Sequence, residues 1–360
     1  MALSKIRSES IEDTAIHGQR NLIINGAYQV FQRASSATTA TTTYSTADRW
    51  VIYEATDGSM TTEKSSDHPI SGSSLKAQVT GADTSIAAGQ FAYIYQNIEA
   101  QNLQHLSYGT SSAKTLTLSF FVKSSKTGVY TINLDKQDNT GFIFVAEYTI
   151  SSANTWEKKT ITITPDSNIQ ASGGAIDNDT GTGLSLGFGL VWGSNVNGGT
   201  SGIWSARGKN DYGTSNLVNW MDSTSNNFYL TEVQLEVGAA TPFEHRSFTE
   251  ELTLCERYLQ RFVAVQNYTA FSVAFSSSAT TAKGHLKFNG KMRSNPTITQ
   301  SNTGFNYGPQ VAFSSFNTLY TGNDLSWIDM NIGSVGSAGQ LGNWNANNNA
   351  AAFVQMDAEL

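Results

Sequence analysis

Residues 242–262 read PFEHRSFTEELTLCERYLQRF, and no other stretch of the chain has the period of an amphipathic helix. Ser247 stands where a helix N-cap is wanted, and Glu250, three residues on, completes a capping box. Phe248, Leu252, Cys255, Leu259 and Phe262 follow at steps of four and three, which puts them on one helical face. On both sides of this stretch the pattern is one of short strands. The spacing therefore predicts a single linking helix over 242–262, a hinge or plug between a longer β-rich region and a shorter one.

Upstream, candidate strands run over 27–32, 49–55, 59–64, 75–79, 91–98, 115–123, 129–134, 142–150, 156–164, 184–192 and 228–237. In LTLSFFV (116–122) and WEKKTITIT (156–164) every second residue can face one side. Turn-prone clusters such as SKTG (125–128) and DNTG (138–141) separate the runs. This spacing predicts an antiparallel β-sandwich of the jelly-roll type over 21–241. Residues 166–183 and 193–227 read as long loops, which in compact domains are usually functional. Downstream, runs over 268–275, 283–288, 297–300, 310–313, 326–332 and 353–360 predict a second, smaller β-sandwich over 263–360. Residues 1–20 are polar with isoleucines five apart, a period of neither helix nor strand, and read as an extended arm. The fold class is thus mainly all-β.

Of the 360 residues 14% are charged, against roughly 25% in ordinary soluble domains, and the net charge is −7. Hydroxyl and amide side chains fill the gap, as in extracellular or virion proteins. The lack of any Lys/Arg run argues against a nucleic-acid partner. No apolar run reaches the roughly 18 residues of a membrane span, and the start MALSKIRSES has no apolar signal core. The expectation is a chain made in a cytoplasm without a signal peptide and without membrane insertion. The one cysteine, Cys255, lies on the apolar helix face and reads as a small buried hydrophobe.

NLIINGAYQVFQR (21–33), TADRW (46–50) and FYLTEVQLEVGAATPFEHRSFTEELTLCERYLQRF (228–262) together resemble a family of bacteriophage tail-fibre and receptor-binding proteins well represented in marine phages. In that family the first motif opens a jelly roll and the last closes it. TLSFFVKSS (117–125), the strand from Thr155 to Ile163 and FYLTEVQLEVG (228–238) are also similar, at the level of fold, to carbohydrate-binding modules. KMRSNPTIT (291–299) resembles part of the C-terminal tip domains of such phage proteins. The resemblance implies a virion tail protein that is a homotrimer. It would attach to other tail or baseplate proteins through residues 1–20 and adsorb to host surface polysaccharide or lipopolysaccharide. Trp50 would then be core, with Asp48 and Arg49 pinning a strand end.

Glycan sites pair aromatic platforms with amide and charged hydrogen-bonders. The loop 192–227 holds both kinds, in Trp204, Tyr212 and Trp220 among Arg207, Asn210, Asp211, Asn216 and Asn219. Two readings stand for these tryptophans: exposed sugar platforms, or anchors folded inward to hold a long loop. Tyr307 and Trp344 make a second set in the C-terminal region, Trp344 expected exposed in GNWNANNN and Trp327 expected in the core. Candidate glycan contacts are therefore Trp204, Arg207, Asp211, Tyr212, Trp220, Tyr307 and Trp344.

Asp177 and Asp179 offer oxygens for a calcium ion or simply cap turns. They also lie in a loop too Gly-rich to serve as an acid-catalysis platform. Glu232 and Glu236 share one strand face, which reads as solvated. His17, His68, His105, His245 and His285 are scattered, and no zinc, P-loop or nucleophile-elbow pattern occurs. A non-catalytic binder is expected, with a polysaccharide-degrading tailspike-type enzyme or a purely structural tail protein as alternatives.

Overall fold

The period-two runs of the first 240 residues become twelve strands. In the computed structural model, which describes residues 20–39, 44–208, 210–333 and 337–360, these are β1 (Ser36–Thr39), β2 (Val51–Ala55), β3 (Ser59–Ser65), β4 (Ser74–Gly81), β5 (Phe91–Glu99), β6 (Leu116–Ser124), β7 (Gly128–Lys136), β8 (Phe142–Ile150), β9 (Glu157–Ile163), β10 (Thr182–Trp192), β11 (Trp204–Ala206) and β12 (Asn227–Val237). They form two six-stranded antiparallel sheets, ordered β1-β3-β4-β12-β6-β9 and β11-β8-β7-β10-β5-β2. Leu116, Leu118, Phe120 and Val122 of the first sheet share one core with Ile94, Ile132, Leu134, Leu186 and Phe188 of the second. This is the antiparallel sandwich that the alternation predicts. Within the loop after β9, Asp166 caps a single helical turn, α1 (Ser167–Gln170), by accepting from the Asn168 and Ile169 amides.

The chain divides into two units, one running to Glu251 and including Leu360, the other Leu252–Glu359. The boundary falls inside α2 (Phe248–Glu256). The expected cap is present, Ser247 Oγ accepting from the Glu250 amide at 3.2 Å. The helix is shorter than its apolar period suggests. It stops at Glu256, and Leu259 and Phe262 belong to a strand, β13 (Leu259–Val263). Phe248, the first residue of the expected stripe, is exposed, whereas Cys255 is buried as expected. The arm expected over 1–20 lies outside the described residues except for Arg20.

Residues 21–32 carry the opening motif, and side chains hold most of their backbone. Asn21 Oδ1 accepts from the Ile23 and Leu235 amides, and its Nδ2 donates to the Val233 carbonyl. Asn25 is fully buried. Its Oδ1 accepts from the Gln29 and Val30 amides, while its Nδ2 donates to the carbonyls of Val30 and Asp48. The strand expected over 27–32 is therefore a side-chain-tied turn, with Tyr28 at φ 49°. The Asn25 amide donates to Glu251 Oε1, and Trp50 Nε1 donates to the Asn25 carbonyl at 3.1 Å. Arg246 closes the arrangement by donating to the Ile23 and Asn21 carbonyls. The expected structural roles of the 46–50 motif are visible here: Trp50 is in the core, Asp48 accepts from Gln32, and Arg49 donates to the Asn97 carbonyl.

The solvated strand face expected for Glu232 and Glu236 is corrected. Both are buried, Glu236 because residues 241–244 fold back over β12. Glu236 accepts from the Thr241 amide and hydroxyl and from Gln234, and lies 3.3 Å from Arg20 Nε. Glu232 sits at a bulge with φ 48°, where the β12–β6 register shifts, and faces His68.

The second unit contains β13, β14 (Ala270–Ser276), β15 (Thr281–Lys287), β16 (Thr297–Ser301), β17 (Thr303–Asn306), β18 (Gln310–Thr321), β19 (Leu325–Ile332), β20 (Leu341–Ala346) and β21 (Phe353–Asp357). It is all-β, as expected, but six of these strands close into a barrel, β14-β15-β19-β18-β17-β20, beside a three-stranded sheet β13-β21-β16. Closure pairs every barrel strand on both sides and removes the edges that a sandwich leaves open. Among the described residues no helix is long and apolar enough to cross a membrane.

Two expectations follow. Replacing Asn25 with Ala strips four hydrogen bonds from buried backbone. It should lower the stability of the first unit by about 2–4 kcal/mol, read as a lower urea midpoint. Glu244 supplies a pH effect. Burial alone would raise its carboxyl, but the Asn21 amide, the Arg246 guanidinium and the Arg20 amide outweigh that and hold it below its ordinary 4.5. Its contribution is complete above that value and is lost as pH falls through the lower folded value. Glu244→Gln should therefore flatten the acid limb of a thermal-stability-versus-pH curve.

Candidate functional site

The outer face of the second sheet is built by three strands with unusual alternation. On β5, Ala92, Ile94, Gln96 and Ile98 point into the sandwich, while Phe91, Tyr93, Tyr95 and Asn97 line the other face. On β7, Tyr130, Ile132 and Leu134 point inward and Thr131, Asn133 and Asp135 outward. On β10 between them the outward positions are Ser185, Gly187 and Gly189.

Antiparallel register aligns these in rungs: Tyr53–Tyr93–Gly189–Thr131, then Tyr95–Gly187–Asn133, then Asn97–Ser185–Asp135. The two glycines make a gutter between a tyrosine bank and an amide bank. A Cβ on Gly187 would come within 2.7 Å of Asn133 Oδ1, and one on Gly189 within 2.3 Å of Trp192 Nε1. Glycine at 189 lets the Trp192 indole lie across the sheet and donate to Thr131 Oγ1 at 2.9 Å.

The loop after β11 supplies one end of the site. Arg207 Nε bonds Asp135 Oδ2 at 2.9 Å, and its Nη2 donates to the Tyr212 hydroxyl at 3.1 Å. Asn133 Nδ2 holds the Tyr212 carbonyl at 2.9 Å. Burial pushes the Asp135 carboxyl up against the pull of Arg207, and burial likewise raises the Tyr93 and Tyr212 phenols. The result is a cavity of about 360 Å³ lined by Tyr93, Tyr95, Asn97, Asn133, Asp135, Gln137, Thr182, Ser185, Arg207, Tyr212 and Leu360. An aromatic cavity of about 240 Å³ adjoins it through Tyr93 and Tyr212. A third, of about 520 Å³, lies against Arg207, Tyr212 and Val196.

Of the residues singled out from sequence, Arg207 and Tyr212 stand in this site. Asp211 supports it from behind, accepting from the Gly208 amide at 2.8 Å. The two tryptophans of the loop are corrected as sugar platforms. Trp204 is 2% exposed and Trp220 fully buried, their indole N–H groups donating to the carbonyls of Thr164 and Asn227. They are the inward anchors of the alternative reading.

In the second unit Tyr307 is half-buried and stacks on Phe305 at 5.5 Å. Trp344 was expected exposed and is fully buried, while Trp327 was expected in the core and is 44% exposed. Barrel alternation explains both. Trp344 shares its phase with Gly342 and Ala346 and packs near Phe271 and Phe313. Trp327 shares its phase with Asp329 and Asn331, and Ser326, Ile328 and Met330 fill the interior.

Asp177 and Asp179 are exposed and do not converge. Asp177 accepts from Asn139 Nδ2, and Asp179 closes its own turn with the Gly181 amide. Among the described residues no group of three or more His, Cys, Asp or Glu side chains could hold a metal ion. A cation is nevertheless built in beside them. Lys136, fully buried at the inward end of β7, donates to the carbonyls of Asp138, Gly173 and Ala175 and lies 5.7 Å from the Phe142 ring centre.

Sequence reasoning did not single out Tyr53, Phe91, Tyr93, Tyr95, Asn133 or Trp192 as site residues. The signal was in FAYIYQN (91–97), where the aromatics occupy the phase opposite to the aliphatics.

No family model matches the chain, and no curated protein sequence matches it. Solved structures do. The enzymatically active domain of bacteriophage CBA120 tailspike protein 4 matches at 13% identity and TM-score 0.30, over 61% of this chain and 22% of that one. The family 11 carbohydrate-binding module from Clostridium thermocellum, in complex with a β-1,3-1,4-mixed-linked tetrasaccharide, matches at 14% identity and TM-score 0.28, over 58% and 98%. TmCBM61, in complex with β-1,4-galactotriose, matches at 10% identity and TM-score 0.26, over 61% and 99%. At these values the site rests on its own geometry.

Lys136→Met keeps the aliphatic stem and takes one donor from each of three carbonyls, those of Gly173 and Ala175 keeping a second from the Thr140 amide and Asn139 Nδ2. The melting temperature of the first unit should fall by about 5–10 °C, with faster amide exchange across residues 171–177.

Proposed function

We propose that this chain is a non-catalytic, glycan-binding adsorption protein of a phage tail, and that it binds host surface polysaccharide on the outer face of the second sheet. The observation that carries this reading is the tyrosine bank facing an amide and acid bank across a glycine gutter. Aromatic faces attract the C–H surfaces of sugar rings, and Asn97, Asn133, Asp135, Ser185 and Arg207 offer donors and acceptors to their hydroxyls.

A hydrolase of the usual two-carboxylate kind needs a second acid in the cleft. Asp135 is the one carboxylate side chain lining the cavity of about 360 Å³ among the described residues, and Arg207 engages it. That supports binding over cleavage. The tail assignment draws on the motifs at 21–33, 46–50 and 228–262. With it come the trimer and the avidity by which weak single sites hold a cell.

The test is a panel of immobilised bacterial polysaccharides and lipopolysaccharides. Binding to at least one is expected, with Tyr93→Ala and Arg207→Ala each weakening it about tenfold or more; circular dichroism checks that each variant is folded, since Arg207→Ala leaves the buried Asp135 carboxylate without its partner. No bound glycan would favour a purely structural tail protein. Release of reducing sugar would favour the tailspike-type enzyme. Light scattering should give the mass of three chains.

A further inference from the structure

Two of the adjoining cavities, those of about 360 and 240 Å³, have opposite chemistry. Tyr93 and Tyr212 belong to both. Beyond them the larger of the two is lined mainly by amides, hydroxyls and the Asp135–Arg207 pair, with Tyr95 and Leu360. The smaller is lined by Tyr53, Phe91, Trp192 and Val196, with no charged or amide side chain. Trp192 Nε1 is committed to Thr131, and the Tyr212 hydroxyl to Arg207. Both rings therefore offer this cavity mainly hydrocarbon. A sugar hydroxyl placed there would give up hydrogen bonds to water with little return.

The walls also do not form a flat platform for a pyranose face. Tyr53 meets Phe91 at 82°, Phe91 meets Tyr93 at 58° and Tyr93 meets Trp192 at 41°, with ring centres 4.7–5.9 Å apart. Angled rings enclose a compact group. At about 240 Å³ the space is smaller than the roughly 300–1,000 Å³ of sites for larger ligands.

Resting on the glycan-binding reading, we infer that this site selects sugars bearing a neutral methyl group, either the methyl of a 6-deoxysugar or that of an N-acetyl group. The methyl enters the aromatic cavity while hydroxyls of the same or the neighbouring unit meet the amide bank. The π faces of the five rings attract the slightly positive methyl hydrogens. The closeness of the two cavities makes the substituent and the hydroxyls one recognition unit.

Three probes of similar length test this: an α-rhamnose tetrasaccharide (6-deoxy), chitotetraose (N-acetyl) and cellotetraose (neither), with choline chloride as a cationic methyl control. Affinities come from calorimetry, and saturation-transfer NMR reports which protons touch protein. One of the two methyl-bearing probes should bind about tenfold tighter than cellotetraose, with the strongest transfer at its methyl protons. Which one does so identifies the source. Val196→Trp, which fills the cavity, should bring that ratio close to one, its fold checked by melting temperature.

Equal affinities, or binding of unsubstituted glycans alone, overturns the inference and leaves glycan binding standing. Displacement of the methyl-bearing probe by choline overturns it in favour of a cation cage. Binding to no glycan, on this set and on the polysaccharide panel alike, removes the underlying reading itself.

Discussion

Asn25 is the constraint on which the first unit depends. The segment that opens the sandwich pairs with β12 at only a few points and must otherwise satisfy its backbone through side chains. One buried amide reads two N–H groups and two carbonyls at once, Glu251 holds its own amide, and Asn21, Gln96, Glu244 and Arg246 hold backbone groups on its N-terminal side. The motifs at 21–33, 46–50 and 242–251 are far apart in sequence and meet around this residue. Asn, Asp, Arg and Glu at these positions act as backbone partners, and a buried polar group is tolerable only when satisfied in this way.

The candidate site departs from the rule that makes a stable sheet. Glycine weakens a strand interior, and aromatic rings on an outward face give up burial they would gain inside. β10 and β5 do both, side by side. The inward residues of the same strands, Leu186, Phe188, Ile94 and Ile98, are packed into the core, so the deficit on one face rests on a conventional other face. Departures of this kind, where local preference is set aside in register across several strands, are expected at functional surfaces.

Much of the fold was legible. Alternation identified most strands of the first unit, and the capping box identified the start of α2. The helix end was not legible, because Leu259 and Phe262 suit both a helical stripe and a strand, and only pairing with β21 decides between them. The inward turn of Glu236 escaped for a related reason: strand period gives the face but not what later folds over it. The site was partly legible. Arg207 and Tyr212 stood out in a polar loop, whereas Tyr93 and Tyr95 were hidden inside a strand whose aromatics read as core. Trp204 and Trp220 show the converse, since aromatic density in a long loop marks anchors as readily as ligands. Trp344 and Trp327 exchanged their expected places because their phase relative to neighbouring residues, not the composition around them, decides which way each faces.

The ammonium of Lys136 gathers three loop carbonyls as a bound metal ion would, yet it is part of the chain. A tethered charge has no dissociation constant. It cannot be diluted away, exchanged for magnesium or removed by a chelator, and it arrives with the polypeptide at synthesis. The turn held by Lys136 is thereby uncoupled from the ionic composition of whatever water the protein meets.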